Sequence, residues 1–159
     1  MLENTTAVLE IKIQECLDDE LKKTALKFVD YLKINQLTAL PDTYEKNAVK
    51  VPYDGKNLCK IWFHPNEIQF HFWFGDYCGV FDENFKTAVQ KRVEFCDVCH
   101  EGCTGPFDVS IFGKVFNNVC SQHPITFTNP DNNTLEHIKT LVEYSKNVVS
   151  NSVSVHANA

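Results

Sequence analysis

Apolar side chains recur along the first forty residues at a spacing close to one helical turn, which predicts a helical N-terminal part over residues 1–40. The positions are Leu9, Ile13, Leu17, Leu21, Ala25, Phe28 and Leu32. Asp18, Asp19 and Glu20 suit the cap and first turn of a second helix. One long helix and two shorter helices broken near Asp18 therefore both fit this pattern, and Pro41 ends either one.

From Ala48 onwards the period changes to two, which is typical of strands. Asp54-Gly55 is a hairpin dipeptide, and Leu58 to Phe63 and Ile68 to Phe74 predict two strands joined by His64 to Glu67. The face expected in the core carries Cys59, Ile61, Phe63, Ile68, Phe70, Phe72 and Phe74. The opposite face carries Leu58, Lys60, Trp62, Gln69, His71 and Trp73.

The middle of the chain predicts one more helix and two short strands. Asp82 to Phe95 has a cap, an acidic first turn and a basic end. Phe107 to Phe112 and Val115 to Cys120 favour strands around Gly113-Lys114, with glycine in the first position of a type II′ turn. A Cys- and Gly-rich loop separates the helix from these strands.

Residues near the C-terminus predict a strand and then a helix. Ile125 to Thr128 is the strand, and either Asn129 or Asp131 caps the helix. The small polar residues at 150–159 predict a frayed tail. Together the elements predict an α+β fold with a mostly antiparallel sheet of about five or six strands. N-terminal, middle and C-terminal helices pack on this sheet, in a single domain over 1–149.

Composition narrows the classes of partner. The chain has 159 residues and a formal net charge of -6, which argues against nucleic acid and against an anionic membrane surface as partners. The N-terminus lacks the basic and apolar regions of a secretory signal, and no run approaches the ~18 apolar residues of a membrane span. These features predict a cytoplasmic protein, in which thiols stay reduced.

Four of the seven cysteines fall in a pattern with metal-ligand spacing. Cys96, Cys99, Cys103 and Cys120 form C-x2-C-x3-C-x16-C, and four thiolates can surround Zn²⁺ tetrahedrally. His100 and His123 are alternative fourth ligands. Backbone amides at Gly102 and Gly105 are expected to approach the sulfurs, and Asp97, Glu101 and Asp108 are candidate residues for orienting the ligands.

Two other interpretations of these cysteines stay open. A reduced cysteine is a small apolar residue that is commonly buried, so the thiols could serve packing alone. C-x2-C beside a histidine could also lower a thiol pKa and support redox chemistry. Against the redox interpretation, the predicted helix ends near Cys96, where its dipole disfavours a thiolate.

A second candidate site is the outward face of the predicted hairpin. Lys60, Trp62, Gln69, His71 and Trp73 share this face, and two indoles beside a few polar groups are typical of a small-molecule pocket. The alternative is that a helix covers the face and the indoles are simply core.

No catalytic motif is present in the sequence. We find no nucleophile elbow, phosphate loop, dinucleotide fingerprint or H-E-x-x-H, and a Cys120–His123 dyad would rest on sequence proximity alone. No catalytic residue is therefore assigned. The leading hypothesis is a non-enzymatic domain with a structural zinc site, followed by a small-molecule-binding module and a thiol redox protein.

The segment Tyr53-Asp54-Gly55-Lys56 and the strand after it, to Ile61, resemble the Y-x-G-K hairpin of the YdhG-like family. These are small bacterial α+β domains. The resemblance covers mainly residues 48–74, with residues 107–146 similar in outline. It implies a bacterial α+β fold with a hairpin after an N-terminal helix and a helix at the end. It brings no activity and no catalytic residues, and the Cys96–Cys120 cluster is not part of the family pattern.

Overall fold

The helical N-terminal part forms two helices, α1 (Ala7–Cys16) and α2 (Asp19–Ile34). Asp18 caps α2, because its side chain accepts a hydrogen bond from the Leu21 N–H at 3.2 Å. Asn66 holds the break from the other side: its Oδ1 accepts from Asp18 N at 3.0 Å, and its N–H donates to Cys16 O at 2.7 Å. A tertiary contact therefore decides between one helix and two.

The structure is a computed structural model that describes residues 5–73, 77–96 and 103–157. For residues 153–157 it describes the backbone alone. The remaining elements are β1 (Leu40–Pro41), β2 (Ala48–Tyr53), β3 (Lys56–His64), β4 (Glu67–Phe72), α3 (Glu83–Gln90), β5 (Phe107–Ile111), β6 (Lys114–Val119), β7 (Ile125–Thr128) and α4 (Asn132–Ala157).

The predicted α+β class is confirmed. Five strands form an antiparallel sheet in the order β1-β2-β3-β4-β7, and β5 and β6 form a separate two-stranded sheet. The chain divides into two compact units: residues 1–70 with 128–159, called here the first unit, and residues 71–127, called the second unit. The sequence predicts a single domain over the same span.

In the first unit, β2 and β3 meet at the predicted Asp54-Gly55 turn. Both residues have positive φ, 47° and 77°, the combination that a type I′ hairpin turn needs. The described members of the predicted core face are all buried; Phe74 lies outside the described residues. Leu58, predicted on the opposite face, is buried as well, beside a register shift between Val51 and Pro52.

Phe28 of α2 shows how the helices pack on the sheet in this unit. Its ring meets Phe70 of β4 edge to face, with centroids 5.0 Å apart. Asp131 is the residue that caps α4, since its Oδ1 accepts from Thr134 N at 2.7 Å. The helix then continues to Ala157, so backbone helix occupies most of the segment 150–159 predicted as a tail. Among the described residues, no helix has the length and apolar character to cross a membrane.

In the second unit, α3 ends at Gln90 rather than at Phe95, so this part of the predicted helix is wrong. Val93 and Phe95 form antiparallel bridges with Ile125 and Val119 instead. Backbone hydrogen bonds to neighbouring segments replace those that a longer helix would make. For example, Glu94 N donates to Pro124 O at 2.9 Å.

The β5–β6 hairpin turns one residue earlier than predicted. Phe112 and Gly113 both have positive φ, 50° and 86°, so this is a type I′ geometry and not a type II′ turn at Gly113-Lys114. A bulky residue rarely adopts positive φ. Here the Phe112 ring packs against Phe81, with centroids 5.2 Å apart, and Phe85, with centroids 5.5 Å apart. This packing offsets the backbone cost.

Candidate functional site

Two of the predicted zinc ligands lie on one ladder of the second unit. Cys96 N donates to Asn118 O at 2.9 Å, and Cys120 N donates to Glu94 O at 2.8 Å. This pairing sets Cys96 opposite Asn118, with Cys120 two residues further along the partner strand. Cys96 and Cys120 therefore occupy diagonal positions across this pairing, near Asn118, whose φ is 61°.

Cys103 lies next to the end of the same ladder. Its Sγ is 3.5 Å from Ser121 Oγ, and Ser121 directly follows Cys120. Gly105 N donates to Cys103 Sγ at 3.4 Å, which is the amide contact predicted for this glycine. Cys96, Cys103 and Cys120 are all half-buried, so each of the three thiols is partly shielded from solvent.

The fourth predicted ligand, Cys99, lies outside the described residues, as do Asp97, His100, Glu101 and Gly102. Over 5–73, 77–96 and 103–157, no group of three or more His, Cys, Asp or Glu side chains is close enough to hold a metal ion. Asp108 lies near the ladder: its Oδ1 accepts from Asn118 N at 3.3 Å, and Asn118 is opposite Cys96.

The objection to redox chemistry from the helix dipole does not apply. It assumed that Cys96 ends a helix, whereas α3 ends at Gln90 and Cys96 lies in an extended segment. A redox role for Cys96 and Cys99 stays a prediction. Cys59 is different, because complete burial raises the pKa of its thiol well above the ordinary value. Cys59 is therefore a packing residue of the first unit.

Beside the thiols, the second unit contains a cavity of about 320 Å³. It is lined by Trp73, Thr104, Gly105, Pro106, Phe107, Ser121 and Pro124. Gly105 and Ser121 are also the two residues that contact Cys103 Sγ. The cavity wall therefore includes two residues that contact the Cys103 thiol.

The predicted aromatic face is divided between the units. Lys60, Trp62 and Gln69 belong to the first unit, and His71 and Trp73 to the second. Among the five, only Trp73 lines the cavity.

The polar members of this face in the first unit already have partners. Lys60 Nζ pairs with Asp42 Oδ1 at 3.3 Å and lies 5.8 Å from the centre of the Trp62 ring. Gln69 Nε2 donates to Glu67 Oε1 at 2.7 Å. These contacts indicate structural roles for Lys60 and Gln69.

His71 is 7% exposed, and its ring meets that of His123 with centroids 5.3 Å apart. The sequence gives no sign of this pair, because the two histidines are in different segments and no motif links them. The cavity residues Thr104, Ser121 and Pro124 were also missed, since hydroxyl and proline residues in loops carry no signal of their own.

No family model, curated protein or solved structure matched this chain. The resemblance to the YdhG-like family therefore stays a prediction.

Proposed function

We propose that this protein is a non-enzymatic domain in which Cys96, Cys99, Cys103 and Cys120 hold a structural Zn²⁺ ion. The observation that supports this most is the pairing of the Cys96 and Cys120 segments by backbone hydrogen bonds, with Cys103 Sγ beside Ser121 Oγ at the end of that pairing. Zinc requires thiolates at about 2.3 Å in a tetrahedron. Thiols from two chain segments that already meet can supply such a site with limited rearrangement.

The ion would link the loop after Cys96 to the residue that follows β6. Because the described thiols do not form a ready-made group of three ligands, zinc must draw the sulfurs together. Metal binding then contributes directly to folding free energy. The Gly105 N–H bonded to Cys103 Sγ adds to the proposal, since amide donors stabilise a metal-bound sulfur. In a reducing compartment the thiols would be available to the metal.

The test is elemental analysis of protein purified without chelator, with thiol titration before and after chelation. We expect zinc at one ion per chain, and chelation should release about four additional reactive thiols. Cys99→Ser should lower zinc content and the free energy of unfolding together. Cys78→Ser is the matched control, because Cys78 is an exposed cysteine of the same unit outside the four.

Two results would contradict the proposal. One is protein without zinc in which all seven thiols titrate at the same rate with and without chelator. The other is an unchanged zinc content in Cys99→Ser, which would remove Cys99 from the site. If Cys78→Ser lowered the zinc content as much as Cys99→Ser, the ligand assignment would be wrong.

A further inference from the structure

A different kind of site is indicated by the chemistry of the cavity wall in the second unit. The cavity volume of about 320 Å³ falls at the lower end of the range for ligand sites, about 300–1,000 Å³. That space accommodates a compound of one or two rings.

The wall is mostly flat and apolar. Trp73 supplies an indole, Phe107 a phenyl ring, and Pro106 and Pro124 two pyrrolidine rings. Aromatic faces prefer offset stacking or edge contacts with another ring, so the wall favours a planar ligand. Trp73 is half-buried, so the ring is partly accessible to a ligand from solvent.

Within the part of the chain that the structure describes, the residues that line the cavity carry no charge. A charged ligand would lose hydration there without gaining a counter-ion, and burying an unpaired charge is strongly unfavourable. The wall therefore selects for a neutral compound.

The polar part of the wall consists of two hydroxyl groups. Thr104 Oγ1 donates to Ser121 Oγ at 3.3 Å, which commits the threonine proton and leaves a second lone pair on Ser121 Oγ able to accept. The Gly105 N–H is committed to Cys103 Sγ. The hydroxyl pair thus offers an acceptor, which matches a ligand that carries an O–H or N–H donor.

We propose that this cavity binds a neutral, planar aromatic compound of one or two rings that bears a hydrogen-bond donor, such as a phenol or an indole. The site differs from the predicted aromatic face, with which it shares only Trp73. It is also distinct from the proposed zinc site, because Cys96, Cys103 and Cys120 are not among the described residues that line the cavity.

Phenol is the probe, and the two tryptophans of the chain provide an internal control. Protein labelled with 5-fluorotryptophan should give two ¹⁹F signals, assigned with Trp62→Phe and Trp73→Phe. Saturable addition of phenol should shift the Trp73 signal and leave the Trp62 signal in place. Equal shifts of both signals, or shifts that never saturate, would overturn the proposal.

Comparison ligands test the two chemical requirements separately. Toluene has the ring without the donor, and we expect it to bind about fivefold more weakly than phenol, the value of one net hydrogen bond. Benzoate has the ring with a charge, and it should bind at least about tenfold more weakly than phenol. Benzoate binding as tight as phenol would overturn the selection for neutral ligands.

Two variants keep the test decisive. Trp73→Ala should weaken phenol binding at least about tenfold, with Trp62→Ala as the matched control that leaves it unchanged. Ser121→Ala removes only a hydroxyl, so it tests the site even if Trp73→Ala fails to fold. It should weaken phenol binding and leave toluene binding unchanged. Equal phenol affinity in Ser121→Ala and in the unaltered protein would contradict the assigned hydrogen bond.

Discussion

In the first unit, α2 and α4 each present a periodic apolar stripe, and Asp18 and Asp131 cap these two helices. In the second unit, the one helix that the structure describes, α3, has eight residues. Much of the rest is held by backbone pairing outside regular strands and by a group of aromatic rings. The first unit is thus stabilised mainly by periodic packing, and the second by individual tertiary contacts.

This difference has a consequence for function. A small unit buries a smaller part of its unfolded surface, about 60% for a 60-residue domain, and commonly needs a disulfide or a metal for stability. The second unit is also where Cys96, Cys103 and Cys120 lie, together with the Trp73 cavity. The candidate chemistry and the less regular packing therefore occur in the same part of the chain.

The largest expected effect tests the periodic packing of the first unit. Phe28→Ala should lower the free energy of unfolding by about 3–5 kcal/mol, because the ring is 1% exposed and packs against Phe70. Urea denaturation followed by far-ultraviolet circular dichroism measures this loss. Tyr44→Ala is the control at a position that is 92% exposed, and it should change stability by less than about 0.5 kcal/mol. Similar values for the two variants would contradict the comparison.

A medium effect is expected at Phe112 in the second unit. Phe112→Ala and Phe112→Gly both remove the ring from the aromatic group, but glycine also relieves the cost of φ 50°. We therefore expect Phe112→Gly to be more stable than Phe112→Ala by about 1 kcal/mol.

Phe85 is the matched control for this pair, since it lies in α3 and belongs to the same aromatic group. At Phe85 the order should reverse, with glycine about 1 kcal/mol less stable than alanine. Urea denaturation measures both pairs. If alanine were more stable than glycine at Phe112 as well as at Phe85, the Phe112 backbone would not be strained.

The smallest effect concerns pH and the polar contacts of the first unit. Desolvation acts to raise the pKa of Asp42, but the N–H groups of Tyr44 and Glu45 and the ammonium of Lys60 outweigh it, so the pKa lies below its ordinary value. A lowered pKa stabilises the fold above the unfolded-state pKa of about 3.9, and this stability is lost as pH falls through the folded-state pKa.

Asp42→Asn should therefore reduce the loss of stability as pH falls below about 4, compared by urea midpoints at each pH. Asp54→Asn is the control, because Asp54 is an exposed turn residue whose positive φ asparagine tolerates. An unchanged pH profile in Asp42→Asn would show that this carboxylate contributes no pH-dependent stability.

Elements defined by local chemistry were predicted correctly. The Asp54-Gly55 turn, the strand Ile125–Thr128 and the helix that Asp131 caps all follow from short-range preferences. The end of α3 was not predicted, because the competing partner of Glu94 is Pro124, thirty positions further along the chain. The partners of Lys60, Gln69 and His71 were not predicted either, because alternation assigns a side chain to a face but does not say what lies opposite it.

Periodicity in the sequence by itself determined the fold class, the core of the first unit and most element types, because a helix or strand buries one face at a fixed period. The spacing of the cysteines alone provided the zinc hypothesis. Only the tertiary structure decided that Asn66 separates α1 from α2, that Phe112 adopts positive φ, and that Trp73 lines the cavity of the second unit. Each of these depends on groups far apart in sequence, whose contacts no local pattern encodes.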